Sequence, residues 1–134
     1  MTSLRKRLLR LVLGLGTLVA VWSCNAPFIP VPPPAQGGFM SALVSDGAGG
    51  QKTVWVAVGA AGSVDGAARV FVFNQATGSG VITQAGAEGA YRSPAFDGTM
   101  GDHIDISSEN AAGDLSPPTC LLLQDAVAAP FCSR

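Results

Sequence analysis

Arg69-Val-Phe-Val-Phe73, then Asn74-Gln-Ala-Thr77-Gly78, then Val81-Ile-Thr-Gln84 is the stretch that decides the fold. It reads as strand, turn, strand. β-branched and aromatic side chains suit a pleated surface, and Thr-Gly supplies turn chemistry. The first run is apolar on both faces, the pattern of a central strand covered on both sides. Similar runs recur outward in both directions. Phe39–Val44 is one. Thr53-Val-Trp-Val-Ala-Val58 is another, with Val54, Val56 and Val58 on one face and Trp55 and Ala57 on the other. Tyr91–Ser93 is short and ends at Pro94. His103-Ile-Asp-Ile-Ser107 alternates, which places Ile104 and Ile106 inward and His103, Asp105 and Ser107 outward. Thr119–Leu123 closes the set. Asp46-Gly47, Asp65-Gly66, Glu88-Gly89, Asp97-Gly98 and Gly101-Asp102 punctuate it with turns. Seven short strands at about ten-residue spacing predict an all-β chain folded as a single small β-sandwich. No long helical period follows residue 24, and Pro117 and Pro118 break Leu115–Val127.

The 134 residues suit one domain. The formal charge of −1 conceals an uneven distribution. Arg5, Lys6, Arg7 and Arg10 precede residue 24 with no acid among them. The remainder holds four basic side chains against nine acidic ones, a formal −5. An acidic surface argues against nucleic-acid binding, which needs cations to neutralise phosphates. A single His leaves little room for His-based catalysis or a His-rich metal site.

The N-terminus has a basic head, an uncharged run from Leu11 to Trp22, and then Ser23-Cys24. That is the layout of a secretory signal. The run is 12 residues long, whereas a membrane span needs roughly 20. Val21-Trp22-Ser23-Cys24 resembles the lipobox of bacterial lipoproteins, although Trp22 departs from the small or medium residue usual there. The resemblance implies cleavage before Cys24, a diacylglyceryl thioether on its sulfur and an acylated amine. Asn25, where an Asp commonly signals inner-membrane retention, leans by the same resemblance toward the outer membrane. Ordinary signal-peptidase cleavage after Ser23 is the alternative. Residues 25–37 hold five prolines in thirteen positions, which excludes helix and sheet and favours an extended polyproline II spacer.

Gly62-Ser-Val-Asp-Gly66-Ala-Ala-Arg-Val70-Phe-Val72-Phe-Asn74-Gln-Ala-Thr77-Gly78 resembles the opening of bacterial immunoglobulin-like repeats. Ala85-Gly-Ala-Glu88-Gly89-Ala-Tyr91, Gly101-Asp102-His-Ile104-Asp-Ile106 and Asn110-Ala-Ala112-Gly113-Asp-Leu-Ser116 are similar to later pieces of that family, in the same order. The likeness covers about residues 52–124. Transthyretin-type sandwiches share some of the pieces. Either family implies a binding or spacer module with no chemistry built into the fold.

Three cysteines in an exported protein is an odd number. Lipidation of Cys24 leaves Cys120 and Cys132, which are expected to form a disulfide in an oxidising compartment. Two free thiols with a redox or metal role are the competing reading. No CxxC is present, and two thiols alone do not complete a four-ligand zinc site.

His103 beside Asp102 and Asp105 suggests a catalytic or metal cluster, but the polar face of a strand accounts for it more simply. The sequence contains no GxSxG. Asp97, Asp102 and Asp105, with Glu109 and Asp114, form an acid-rich stretch without EF-hand spacing, so solvated turns are preferred over calcium binding. Gly47–Gly50 and Gly78–Gly80 lack the Lys of a phosphate loop. Trp55, Phe71, Phe73 and Tyr91 are read as core rather than as a ligand platform, with Phe71 or Phe73 turned outward if the sandwich has two simple layers. The chain thus divides into a signal peptide at 1–23, a lipidated Cys and tether at 24–37, and a domain at 38–134 with a disulfide-closed tail. The expected function is that of a non-enzymatic cell-envelope lipoprotein in a structural or protein–protein interaction role. It would be anchored to the membrane by lipid and paired with an envelope protein, with no cofactor, metal or nucleic acid. A lipid-anchored carbohydrate- or small-ligand-binding module is the alternative.

Overall fold

Alternating burial along short apolar runs organises residues 30–133, the part of the chain that the computed structural model describes, into strands alone. The expected signal peptide at 1–23 and Cys24 lie outside the described residues. The strands are β1 (Gly38–Ser45), β2 (Gln51–Gly59), β3 (Arg69–Asn74), β4 (Ser79–Gln84), β5 (Tyr91–Arg92), β6 (Phe96–Asp97), β7 (His103–Glu109) and β8 (Thr119–Leu122). They form two antiparallel sheets. In the first, β2 is flanked by β1 on one edge and by β5 and β6 on the other. The second has the order β4-β3-β7-β8. The described part of the chain is all-β, a small β-sandwich.

The eighth strand has a local cause. Residues 91–97 run along β2 as one segment, but Pro94 has no N–H to donate. Ser93 bridges the break: its N–H donates to the Ala57 carbonyl at 2.9 Å and its hydroxyl accepts the Ala57 N–H at 2.9 Å. The segment is therefore split into β5 and β6. A second difference concerns β3. It is central in its sheet, but only one of its faces is covered. Val70, Val72 and Asn74 point into the core, Phe71 is half-buried and Phe73 is exposed. The outward Phe side chains follow from two-layer packing. In β7, Ile104 and Ile106 are fully buried and His103 is exposed.

The core lies between the sheets. Phe39, Trp55, Ala57, Tyr91 and Phe96 come from the first sheet, and Val70, Val72, Ile104, Ile106 and Leu121 from the second. Phe39 meets Phe96 edge to face, with ring centroids 6.3 Å apart. Two segments close the sides. On one side Thr83 Oγ1 of β4 donates to the Arg92 carbonyl of β5 at 2.9 Å. On the other, the chain after β8 bonds to both sheets. Ala126 exchanges both backbone hydrogen bonds with Phe39 of β1. Leu122 N–H then donates to Pro130 O at 2.8 Å and Cys132 N–H to Cys120 O at 3.0 Å. Cys120 and Cys132 are disulfide-bonded, with Cα atoms 5.5 Å apart.

The end of the expected tether belongs to this closure. Val31, Pro34 and Gly37 are buried while the residues between them are exposed. A period of three is that of a polyproline II helix lying along a surface. Its backbone is bonded at Pro34, Ala35 and Gly37: Ala35 N–H to Ser63 O, Thr119 Oγ1–H to Pro34 O, and Ala129 N–H to Gly37 O. Residues 31–37 therefore pack on the domain instead of standing off from it.

The turns share one device. Asn74 is buried, and its Oδ1 accepts the Ala76 N–H at 2.9 Å, while Gly78 adopts a φ of 66° and returns its N–H to Asn74 O. Asn74 Nδ2 donates to the Asp102 carboxylate at 2.8 Å. Asp46 and Asn110 fold their turns in the same way, each carboxyl or amide oxygen accepting two N–H groups. Gly89, with a φ of 77°, lies where an added Cβ would stand 2.0 Å from Val64 O.

Two outcomes follow for stability. Replacing both cysteines (Cys120→Ala with Cys132→Ala) should lower the free energy of unfolding by about 3 kcal/mol, the loop-entropy value for a loop of this size. The readout is the urea midpoint, and an unchanged midpoint would contradict it. Tyr91, the only tyrosine of the chain, has a buried hydroxyl without a hydrogen-bond partner among the described residues. Burial disfavours its phenolate and raises its pKa from 10 to about 12. The neutral form is favoured in the fold, so this stabilisation is complete below pH 10 and is lost as the pH rises toward 12. Phenolate absorbance titrates Tyr91 alone and should show that delay. Tyr91→Phe should keep or raise stability at neutral pH, because it removes an unsatisfied polar group.

Candidate functional site

The β1–β2 ladder outgrows the sandwich. Its register runs from Gly38 opposite Val58 to Ser45 opposite Gln51. Only the first part is covered, and every residue from Met40 to Thr53 is exposed. The turn at its end is held by Asp46, so the projection is a formed hairpin and not a loose loop. It carries apolar side chains into solvent: Met40 is 47 %, Leu43 67 % and Val44 37 % exposed. Beyond the Phe39–Ala126 bridge, the outer edge of β1 is unpaired among the described residues. An unpaired edge with exposed apolar side chains is a template for pairing with another chain.

Beneath the hairpin lies a groove of about 510 Å³. Ser41, Thr53 and Trp55 of the β1–β2 ladder line it together with Gly98, Thr99 and Met100 of the loop after β6. Trp55 Nε1–H donates to Gly98 O at 3.0 Å, which fixes the indole against the opposite loop. Ser41 Oγ–H donates to the Asp125 carboxylate and ties β1 to the C-terminal segment. Met100, 69 % exposed, extends the apolar rim. The groove offers apolar contact with a few polar groups among its lining, which suits a side chain or an extended backbone.

The acids singled out from sequence are dispersed. Asp97 pairs with Lys52 at 2.9 Å across the outer face of the first sheet. Asp102 accepts from Asn74 Nδ2 and from the Thr99 N–H at 2.9 Å. Asp105 accepts from Gln75 Nε2 at 2.7 Å. Among the described residues the three carboxylates do not converge on one point. Neither Asp102 nor Asp105 bonds to His103, which projects from the outer face of the second sheet. Gly47–Gly50 and Gly78–Gly80 serve the β1–β2 and β3–β4 hairpin turns. Of the four aromatics, Trp55 and Tyr91 are core, while Phe71 and Phe73 share the outer face with Ile82, which pairs with Phe71.

Two features escape sequence reasoning. The hairpin strand Phe39–Val44 was legible as a strand, but not that five of its six residues lie outside the core. His103 also stands next to the Cys120–Cys132 pair, with the imidazole and sulfur atoms all within 4.8 Å. The register of β7 against β8 creates that proximity, and residue spacing carries no sign of it.

In comparisons with known proteins, no family model, no curated protein and no solved structure matches the chain.

Proposed function

We propose that the chain is a non-enzymatic lipoprotein of the bacterial cell envelope. In this reading it presents an immunoglobulin-like β-sandwich for contact with another envelope protein, with the outer membrane favoured. The observation that carries the interaction reading is the projecting β1–β2 hairpin with its exposed Met40, Leu43 and Val44. β1 has 8 residues, and a strand rises about 3.3 Å per residue. The turn thus stands about 25 Å from Gly38, the first residue of β1. An anchor at Cys24 would hold the domain through residues 31–37, whose backbone bonds go to Ser63, Thr119 and Ala129 and not to the hairpin. Two or three acyl chains would make that anchor stable, because each buried CH₂ contributes about 0.8 kcal/mol and one chain alone binds marginally. The basic head and apolar run of residues 5–22, and the lipobox-like Val21–Cys24, support export and lipidation. The Cys120–Cys132 disulfide is in keeping with an oxidising compartment.

One preparation tests both halves. The intact mass of membrane-extracted protein should equal a chain beginning at Cys24 plus a diacylglyceryl group and a further acyl chain. A bare Cys24 would overturn the lipoprotein reading. A photo-crosslinker at Leu43 should then yield one stoichiometric protein adduct in native membranes, and the same probe at Glu88 should yield none. Equal labelling from both positions, or none from Leu43, would overturn the hairpin as the contact site.

A further inference from the structure

The corner where β7, β8 and the C-terminal segment meet assembles one imidazole and two sulfurs. In the β7–β8 register His103 lies opposite Leu122 and Asp105 opposite Cys120, so His103 and Cys120 are diagonal neighbours on one outward face. A different piece of backbone supplies Cys132. Its N–H donates to Cys120 O, Leu122 N–H donates to Pro130 O, and Leu121 bridges to Phe131. None of these bonds involves sulfur, so they favour the facing arrangement when the S–S bond is open. Among the described residues the His103 ring makes no hydrogen bond, and it offers a nitrogen toward the two sulfurs. A cavity of about 420 Å³ opens over the group, bounded by Pro33, Pro118, Phe131 and Ser133. It has room for a further ligand.

We propose that reduction of the Cys120–Cys132 disulfide turns this corner into a Zn²⁺ site, with His103 and the two thiolates as ligands and water in the fourth position. Two thiolates with one imidazole are a donor set suited to Zn²⁺, and three protein ligands leave an open place in its tetrahedral shell. A dithiol reductant delivers two electrons and two protons. The S–S bond breaks, two thiols form, and the reductant becomes a disulfide. Zn²⁺ then displaces the two thiol protons, and His103 binds as the neutral imidazole. In the oxidised protein both sulfurs are held in the S–S bond and no thiolate exists to bind the ion. Disulfide and metal are thereby alternative clasps for the same corner. The inference concerns the folded domain and does not depend on the lipid anchor.

The test uses the full chain carrying Cys24→Ser, so that only Cys120 and Cys132 supply thiols. The protein is reduced with a thiol-free phosphine and titrated with Zn²⁺ against a chromophoric chelator, with Co²⁺ as an optical reporter. The reduced protein should bind one Zn²⁺ per chain and show a sulfur-to-cobalt charge-transfer band, and the oxidised protein should show neither. His103→Ala should weaken binding by at least about tenfold, since loss of an outer-shell partner alone weakens metal sites by about 10- to 100-fold. Circular dichroism is recorded alongside. If reduction loosens the β-structure, Zn²⁺ should restore it in the parent and not in His103→Ala. The proposal is overturned if the reduced chain binds no Zn²⁺, if the oxidised chain binds it equally, or if His103→Ala binds as tightly as the parent.

Discussion

The structure depends on one connection, the hydrogen-bonding of residues 124–132 to both sheets at once. Ala126 pairs with Phe39 of the first sheet, while Pro130 and Cys132 pair with Leu122 and Cys120 of the second. Without that segment, β1 and β8 would be two unpaired edges facing each other across an open core. Phe39, Leu121, Leu123 and Ala129 are almost fully buried at this seam, so apolar burial and backbone pairing act in the same place. The disulfide holds the far end of the segment and removes freedom from the unfolded chain. Residues 31–37 lie over the seam and bond to Ser63, Thr119 and Ala129. By contrast, the ion pair Lys52–Asp97 is exposed on both sides and contributes little.

The seam also positions what the molecule can offer to others. Asp125 receives the Ser41 hydroxyl and steadies the base of the projecting hairpin. Trp55, held by Gly98, lines the groove beneath it. At the other end of the segment, Cys132 is brought to Cys120 and so to His103. One closing segment therefore serves both the hairpin groove and the sulfur–imidazole corner. A change that loosens it should be felt at both, although they share no side chain.

Most of the architecture was legible because its signals are local. Alternation in His103–Ser107 gave the inward Ile104 and Ile106, and the Asn-x-x-Thr-Gly and Asn-x-x-Gly turns gave the breaks. The structure supplies the mechanism of those turns: an Asn oxygen that accepts backbone N–H groups and a glycine in the left-handed region. Features that need a partner distant in sequence were not legible. The docking of Pro34 and Gly37 depends on Thr119 and Ala129. The single cover of β3 depends on how many layers the fold has, which a strand apolar on both faces does not reveal. The proximity of His103 to the cysteine pair depends on a register between β7 and β8.

Native-state hydrogen exchange, residue by residue, is the most direct test of the closing segment. In the oxidised protein the amides of Phe39, Ala126, Leu122 and Cys132 should exchange only through global unfolding, as slowly as those of Val70 and Ile106. On reduction those four should lose protection first, while β3 and β7 keep theirs. Fast exchange at Phe39 and Ala126 in the oxidised protein, with Val70 and Ile106 fully protected, would contradict the claim that this segment holds the two sheets together.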